Sequence, residues 1–274
     1  MTEVAGTEAA AKAPAFRQLE LRIEGRVARL TLAAPRRRNA LDLAMVQELV
    51  VAMDHLEGRD DVGALIVTGQ PPAFCAGADL SQLEGSTREG LRRIYAGFLR
   101  VASSDLPTIA AVNGPAVGAG LNLALACDLR LAARSARFDA RFVDLGLHPG
   151  GGATWMLRQI GGGQLTTAMI LFGQALDGEQ AAARGLAWES VDDDDLLPRA
   201  RELAAGVAAA PRALVAEIKA TLRDGPAIPS HAAAVERELG PQAWSVEQPA
   251  FQERLAALRR RIAERRAAGE RSES

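Results

Sequence analysis

Apolar and polar residues alternate through FRQLELRIEGRVARLTLAAP on both sides of Glu24-Gly25, and a period of two with one apolar face predicts a β-hairpin. The period then changes. In LDLAMVQELVVAMDHLE, Leu43, Val46, Leu49, Val50 and Met53 recur at helical spacing, and the short apolar run GALIVTG reads as a buried strand. STREGLRRIYAGFLRVASSD is an amphipathic helix, PTIAAVNG a second buried strand closed by a turn, and LNLALACDLRLAA passes through a helix into another strand. The stretch AVNGPAVGAGLNLALACD thus reads as strand, tight turn and Gly-rich entry into a helix, a design that aims backbone N–H groups at a ligand.

Farther on, ARFDARFVDLGLHPGGGATWMLRQIGG predicts a Gly-rich loop leading to a helix near Ala153. Asp177 is placed to cap a helix that Gly185 stops, and LAWESV is a last short strand. After DDDDLL the pattern is helical in four segments: PRARELAAGVAAA, PRALVAEIKATLRDG, IPSHAAAVERELG and QPAFQERLAALRRRIAERRAA, separated by Pro or Gly. An α/β core followed by an all-α part is the expected organisation. No fixed-period repeat is visible, although the core could repeat a ββα unit.

Composition narrows the function classes. The 274 residues are 48% hydrophobic, enough for a sizeable buried core in one large or two small domains. A formal net charge of −2 gives no bulk attraction to nucleic acid or an anionic membrane. The opening MTEVAGTEAAAKAPAF contains Glu3 and Glu8, lacks the apolar run of a signal peptide and is expected to be a disordered tail. No apolar stretch reaches transmembrane length, so a cytoplasmic location is the default expectation. Cys75 and Cys127 fit no metal-ligand spacing or disulfide framework and are expected to be small buried side chains.

Three stretches are candidates for chemistry. In PPAFCAGADLSQL, small residues before Asp79 would let a ligand approach backbone N–H groups, but the same residues fit a turn with Asp79 as a helix cap. Gly118-Ala119-Gly120 begins like a dinucleotide-binding loop, yet the third glycine position is Leu123, which counts against a Rossmann site. GLHPGGGATWML, taken alone, is a turn before a helix.

Together, PRRRNAL, AFCAGADL, PTIAAVNGPAVGAG, CDLRLAA, ARF, LGLHPGGG and AFQERL occur in the order and approximate spacing of the crotonase superfamily. The sequence resembles enoyl-CoA hydratases and isomerases over about residues 16 to 262. The resemblance implies an α/β fold, a crotonase-type spiral of ββα units with a C-terminal helical trimerisation region, and commonly a dimer of trimers. It divides the chain into a tail at 1–15, an acyl-CoA-binding core at 16–200, a helical region at 201–268 and a tail at 269–274. The implied ligand is an acyl-CoA or enoyl-CoA thioester, with no cofactor beyond its coenzyme A moiety. Residue by residue, the two backbone donors to the thioester oxygen fall on Ala78 and Ala119. The coenzyme would meet Ala76, Ala78 and Arg36, with Arg37 or Arg38 as substitutes, and Phe251 and Arg254 of a neighbouring subunit. Arg259, Arg260 and Arg261 read as a solvated or intersubunit face, and Leu255, Leu258 and Ile262 as an apolar helix stripe.

The sequence departs from the family pattern where proton chemistry is done. Hydratases place two glutamates over the substrate, and those places fall on Asn122 and Phe142, neither of which exchanges a proton near neutral pH. The aspartate that some relatives carry near the loop glycines corresponds to Gly150. Asp139, Asp144 and His148 are the titratable groups left nearby, Asp144 being a catalytic candidate that would point away from Phe142 on a regular element. The resemblance therefore implies an enoyl-CoA hydratase/isomerase-type enzyme with a thioester oxyanion hole. The alternatives are a catalytically silent acyl-CoA binding protein and a divergent thioester isomerase, hydrolase or decarboxylase.

Overall fold

The structure, a computed structural model, describes residues 14–272, with side-chain exposure through residue 265. Residues 1–13 of the expected N-terminal tail and 273–274 of the expected C-terminal one lie outside the described residues. The chain divides into two compact units with the boundary between Ala209 and Ala210, against the 200/201 expected from the resemblance.

The first unit opens with the antiparallel pair β1 (Leu19–Glu24) and β2 (Val27–Leu32), in which Leu21 faces Leu30 and Ile23 faces Ala28. Helix α1 (Leu43–Glu57) follows, capped by the Asp42 side chain accepting from Met45 N. It buries Met45, Val46, Leu49, Ala52, Met53 and Leu56, while Leu43 and Val50 of the expected stripe are only half-buried. Strand β3 (Ala64–Gly69) is buried at all six positions, as a central parallel strand covered on both faces must be.

After the one-turn helix α2 (Leu80–Leu83), α3 (Arg88–Ala102) buries Ile94, Gly97, Phe98 and Val101 and packs on α1. Then come β4 (Thr108–Val112), β5 (Pro115–Val117), α4 (Ala119–Ala126), β6 (Leu129–Ala133) and β7 (Arg137–Asp139). Helix α5 (Ala153–Ile170) loses helical geometry at Gly162 and is followed by β8 (Leu176–Asp177), α6 (Gly178–Ala183), β9 (Glu189–Val191) and α7 (Leu196–Ala208). The α6 cap at Asp177 is a full capping box with Gln180.

The strands form a six-stranded sheet ordered β1-β2-β3-β4-β6-β9, parallel beyond the first hairpin, and a small sheet ordered β5-β7-β8. The small sheet corrects the expected strand–turn–helix: a three-residue strand stands between the turn and α4, and β7 interrupts the expected loop. Such short strands leave no periodic signal, because their pairing partner is distant in sequence.

The second unit contains α8 (Arg212–Asp224), α9 (His231–Glu247) and α10 (Pro249–Ser272). Here the expected break at Gly240-Pro241 does not occur, since α9 runs through Pro241. None of its residues is buried, so water can satisfy the carbonyl that proline leaves without a donor. Residues 269–272, expected as tail, continue α10.

One buried side chain ties the start of the chain to the core. Asn39, fully buried with φ 57°, accepts from Ala34 N through Oδ1 and donates through Nδ2 to the carbonyls of Gln70 and Ala73, each at 2.8 Å. A left-handed φ suits asparagine better than a branched residue. Asn39→Ala would leave these backbone groups unpaired. It should lower stability by about 2–3 kcal/mol, a fall of roughly 5–10 °C in Tm that scanning calorimetry would register. Asn39→Asp should cost more, because a carboxylate would face the carbonyl oxygens that now receive a donor.

Candidate functional site

The loop 75–78 and the turn into α4 are sewn together by backbone alone. Cys75 N donates to Pro115 O and Val117 N donates to Cys75 O, each at 3.0 Å, a parallel bridge between Cys75 and Ala116. Leu41 N donates to Gly77 O at 2.7 Å and Asp79 N to Leu41 O at 2.9 Å, which fixes the other side of the loop. A Cβ on Gly120 would collide with the Cys75 carbonyl, and one on Gly77 would lie 2.9 Å from Val117 O and 3.9 Å from Ala119 N. The two segments therefore touch backbone to backbone.

This seam leaves two donors over. Neighbouring amides are engaged, Gly118 N with Asp139 O and Asn122 N with Gly118 O, but no backbone carbonyl among the described residues accepts from Ala78 N or Ala119 N. Both residues line a cavity of about 240 Å³ in the first unit. Its wall is mainly apolar, with Leu80 and Leu83 from α2, Leu91 and Ile94 from α3 and Phe142 from the loop after β7. Ala119 begins α4, so its N–H also carries the positive end of the helix dipole.

Asn122, buried to 2% exposure, stands one turn farther along α4. Its Nδ2 donates to Gly150 O at 2.9 Å, which fixes the amide orientation because a carbonyl can only accept. Its Oδ1 has no donor among the described residues. Phe142 is buried to 8% exposure on the same cavity. Asp144 is exposed and does not line the cavity; a Cβ on Gly173 would lie 3.3 Å from its Oδ1. Asp139 is buried but held by Arg141 Nη2 at 2.6 Å, and that hydrogen bond raises the Arg141 guanidinium above its ordinary range. His148 lines the cavity while exposed to solvent, with Nδ1 2.8 Å from Pro149 O. A donor Nδ1 leaves Nε2 of the neutral ring as an acceptor.

The other candidates are also placed. Ala76 borders the cavity, with its N–H given to Arg38 O. Arg36 and Arg38 are exposed on the turn outside the cavity lining, and Arg37 is bound to Asp42 at 2.7 Å and Asp79 at 3.2 Å. Asp79 caps α2 through Ser81, and those hydrogen bonds, followed by Arg37, hold its carboxyl below the usual range. Cys75 and Cys127 are buried as expected, and burial pushes the Cys75 thiol up to about 12, which removes it as a nucleophile near neutral pH. Phe251 and Arg254 belong to α10 of the second unit. Among the described residues no cluster of three or more His, Cys, Asp or Glu is placed to hold a metal ion, and no helix is long and apolar enough to cross a membrane.

Of the polar side chains that line the cavity, two carry no mark in the sequence: Tyr95 and Arg141. Tyr95 shares the helical stripe of Leu91, Ile94 and Phe98, which by periodicity reads as core. Arg141 is a non-glycine residue at φ 57°, a conformation that no local pattern announces.

Comparison with known proteins agrees with this architecture. The family model for enoyl-CoA hydratase/isomerase matches residues 22–259. A probable enoyl-CoA hydratase of Mycobacterium tuberculosis is 50% identical over 250 residues, 88% of this chain and 97% of that protein. The 1,2-epoxyphenylacetyl-CoA isomerase of Escherichia coli is 37% identical over 197 residues, 69% of this chain and 75% of that protein. Among solved structures, an enoyl-CoA hydratase subunit I from Geobacillus kaustophilus superposes with a TM-score of 0.84 at 29% identity, covering 90% of this chain and 96% of that one. With half of its residues shared with one relative along nearly the whole of that protein, and with this fold, the chain belongs to the enoyl-CoA hydratase/isomerase family of the crotonase superfamily.

Proposed function

We propose that the cavity binds an acyl-CoA thioester with its carbonyl oxygen between Ala78 N–H and Ala119 N–H, and that the protein is an enzyme acting through the enolate-like charge developed there. The observation that carries this reading is the pair of uncommitted amides on an apolar cavity. Fixed donors in a low-dielectric site stabilise developing charge without reorganising, and each is typically worth about 3–4 kcal/mol in the transition state. Only backbone is required, so alanine serves at both positions. The coenzyme phosphates fall to Arg36, since Arg37 is held by Asp42 and Asp79. Phe251 and Arg254 are assigned to the adenine end of a neighbouring subunit's ligand. A cytoplasmic homotrimer or hexamer, with no nucleic-acid or membrane partner, completes the reading.

Asn122 and Phe142 favour a second reading, a binding protein that retains the thioester site without the hydratase acid and base. Turnover of a panel of enoyl-, hydroxyacyl- and acyl-CoA thioesters, followed by mass spectrometry, separates the two. An enzyme converts at least one of them, whereas a silent binder retains affinity and converts none.

Four outcomes are expected. In the structure of a thioester complex, the carbonyl oxygen lies within about 3.5 Å of Ala78 N or Ala119 N, and an oxygen beyond reach of both rules out the assignment. Hydration of crotonyl-CoA is slower than in a hydratase by about 10²- to 10⁴-fold, the usual contribution of a positioned acid or base. Asn122→Glu with Phe142→Glu accelerates it in a steady-state assay, and a folded double variant no faster than its parent removes the residue matching. Light scattering at micromolar concentration gives a trimer or hexamer, since Leu258 and Ile262 expose an apolar stripe on α10.

A further inference from the structure

The cavity has three titratable side chains in its lining: Tyr95, Arg141 and His148. Arg141 is committed to Asp139, and His148 lies exposed to solvent beside Pro149. Tyr95 is different. It is the only tyrosine of the chain, it is half-buried, and its ring packs on Phe98 with centroids 5.6 Å apart. Its hydroxyl abuts residue 150, where any Cβ would collide with it, and it makes no hydrogen bond with a described residue. The carbonyl of that same residue receives Asn122 Nδ2, so the phenol of α3 and the amide of α4 converge on Gly150. Asn122 Oδ1 is buried there without a donor, which is costly unless a ligand group completes the pair.

We infer that Tyr95 is the catalytic acid–base residue of this site, exchanging a proton with the carbon next to the thioester carbonyl, with Asn122 Oδ1 accepting a hydrogen bond from a substrate or water hydroxyl beside it. This inference rests on the thioester reading above. In the step, the Tyr95 hydroxyl gives its proton to solvent water as its oxygen takes a hydrogen of the α-carbon as a proton. The C–H bond breaks, an O–H bond forms, and the electron pair moves into the thioester carbonyl, whose oxygen is held by Ala78 N–H and Ala119 N–H. In the reverse direction the phenol returns the proton to the α-carbon. No oxidant or co-reactant is needed, and the residue works where relatives use carboxylates because a phenol also donates and accepts at one atom. The apolar packing on Phe98 fixes the ring without engaging its oxygen.

The test uses butyryl-CoA, a saturated thioester that cannot be hydrated, in deuterated water. Mass spectrometry reads deuterium entering the α-carbon, and calorimetry reads thioester affinity. The full-length protein is expected to exchange the α-hydrogen. Tyr95→Phe keeps the ring on Phe98, should bind butyryl-CoA within about threefold of the parent and should lose exchange by about 100-fold or more. Asp144→Asn, at an exposed position outside the cavity lining, should exchange at the parental rate. Exchange that survives Tyr95→Phe but is lost in His148→Gln overturns the assignment. So does a parent protein that binds butyryl-CoA tightly and exchanges nothing, although the thioester site then stands. A parent that does not bind the thioester at all fails the reading of the site itself.

Discussion

Everything distinctive about this molecule depends on two backbone segments approaching too closely for side chains to stand between them. The Cys75 carbonyl occupies the space a Cβ on Gly120 would need, and the Gly77 backbone lies against Val117 O. Each segment spends its inner hydrogen bonds on the other, and the N–H groups of Ala78 and Ala119, two residues that line the cavity, are left with no backbone acceptor among the described residues. The thioester site proposed there would be insensitive to the side chains at the donor positions. It would be sensitive to anything that widens the seam.

The surrounding fold supplies rigidity to that seam from several directions. β3 and β4 are buried throughout, and their parallel pairing sets where the chain emerges before the loop 75–78 and before β5. Asn39 fixes the preceding turn to the carbonyls of Gln70 and Ala73, while the bridge from Leu41 to Ala78 holds the loop itself. On the far side β7 pairs with β5, and Asp139 anchors both Gly118 N, through its carbonyl, and Arg141, through its carboxylate. Polar groups in this region are thus tied to backbone or to one another, which is how an apolar cavity can be lined by them at modest cost. Asn122 Oδ1 is different: it is buried on the cavity with no donor among the described residues.

The sequence by itself determined the long elements, because a buried strand such as β3 or an amphipathic helix such as α3 repeats its apolar signal over enough residues to be read locally. It also determined the family, through glycines and small residues spaced as in its relatives, and with it the identity of the two backbone donors proposed for the thioester. Tertiary structure alone decided the rest. The three-residue strands β5 and β7 exist only because each finds the other, and α9 passes Pro241 because nothing around it forbids hydration of the freed carbonyl. Likewise, Arg36, Arg37 and Arg38 are equivalent as sequence, and only the positions of Asp42 and Asp79 single out Arg37 as occupied. Tyr95 reads as one more core residue of a helical stripe, since periodicity reports which face is covered and not what covers it. The fold set that face against Gly150, where the Tyr95 hydroxyl fills the space a Cβ would need and whose carbonyl receives Asn122 Nδ2.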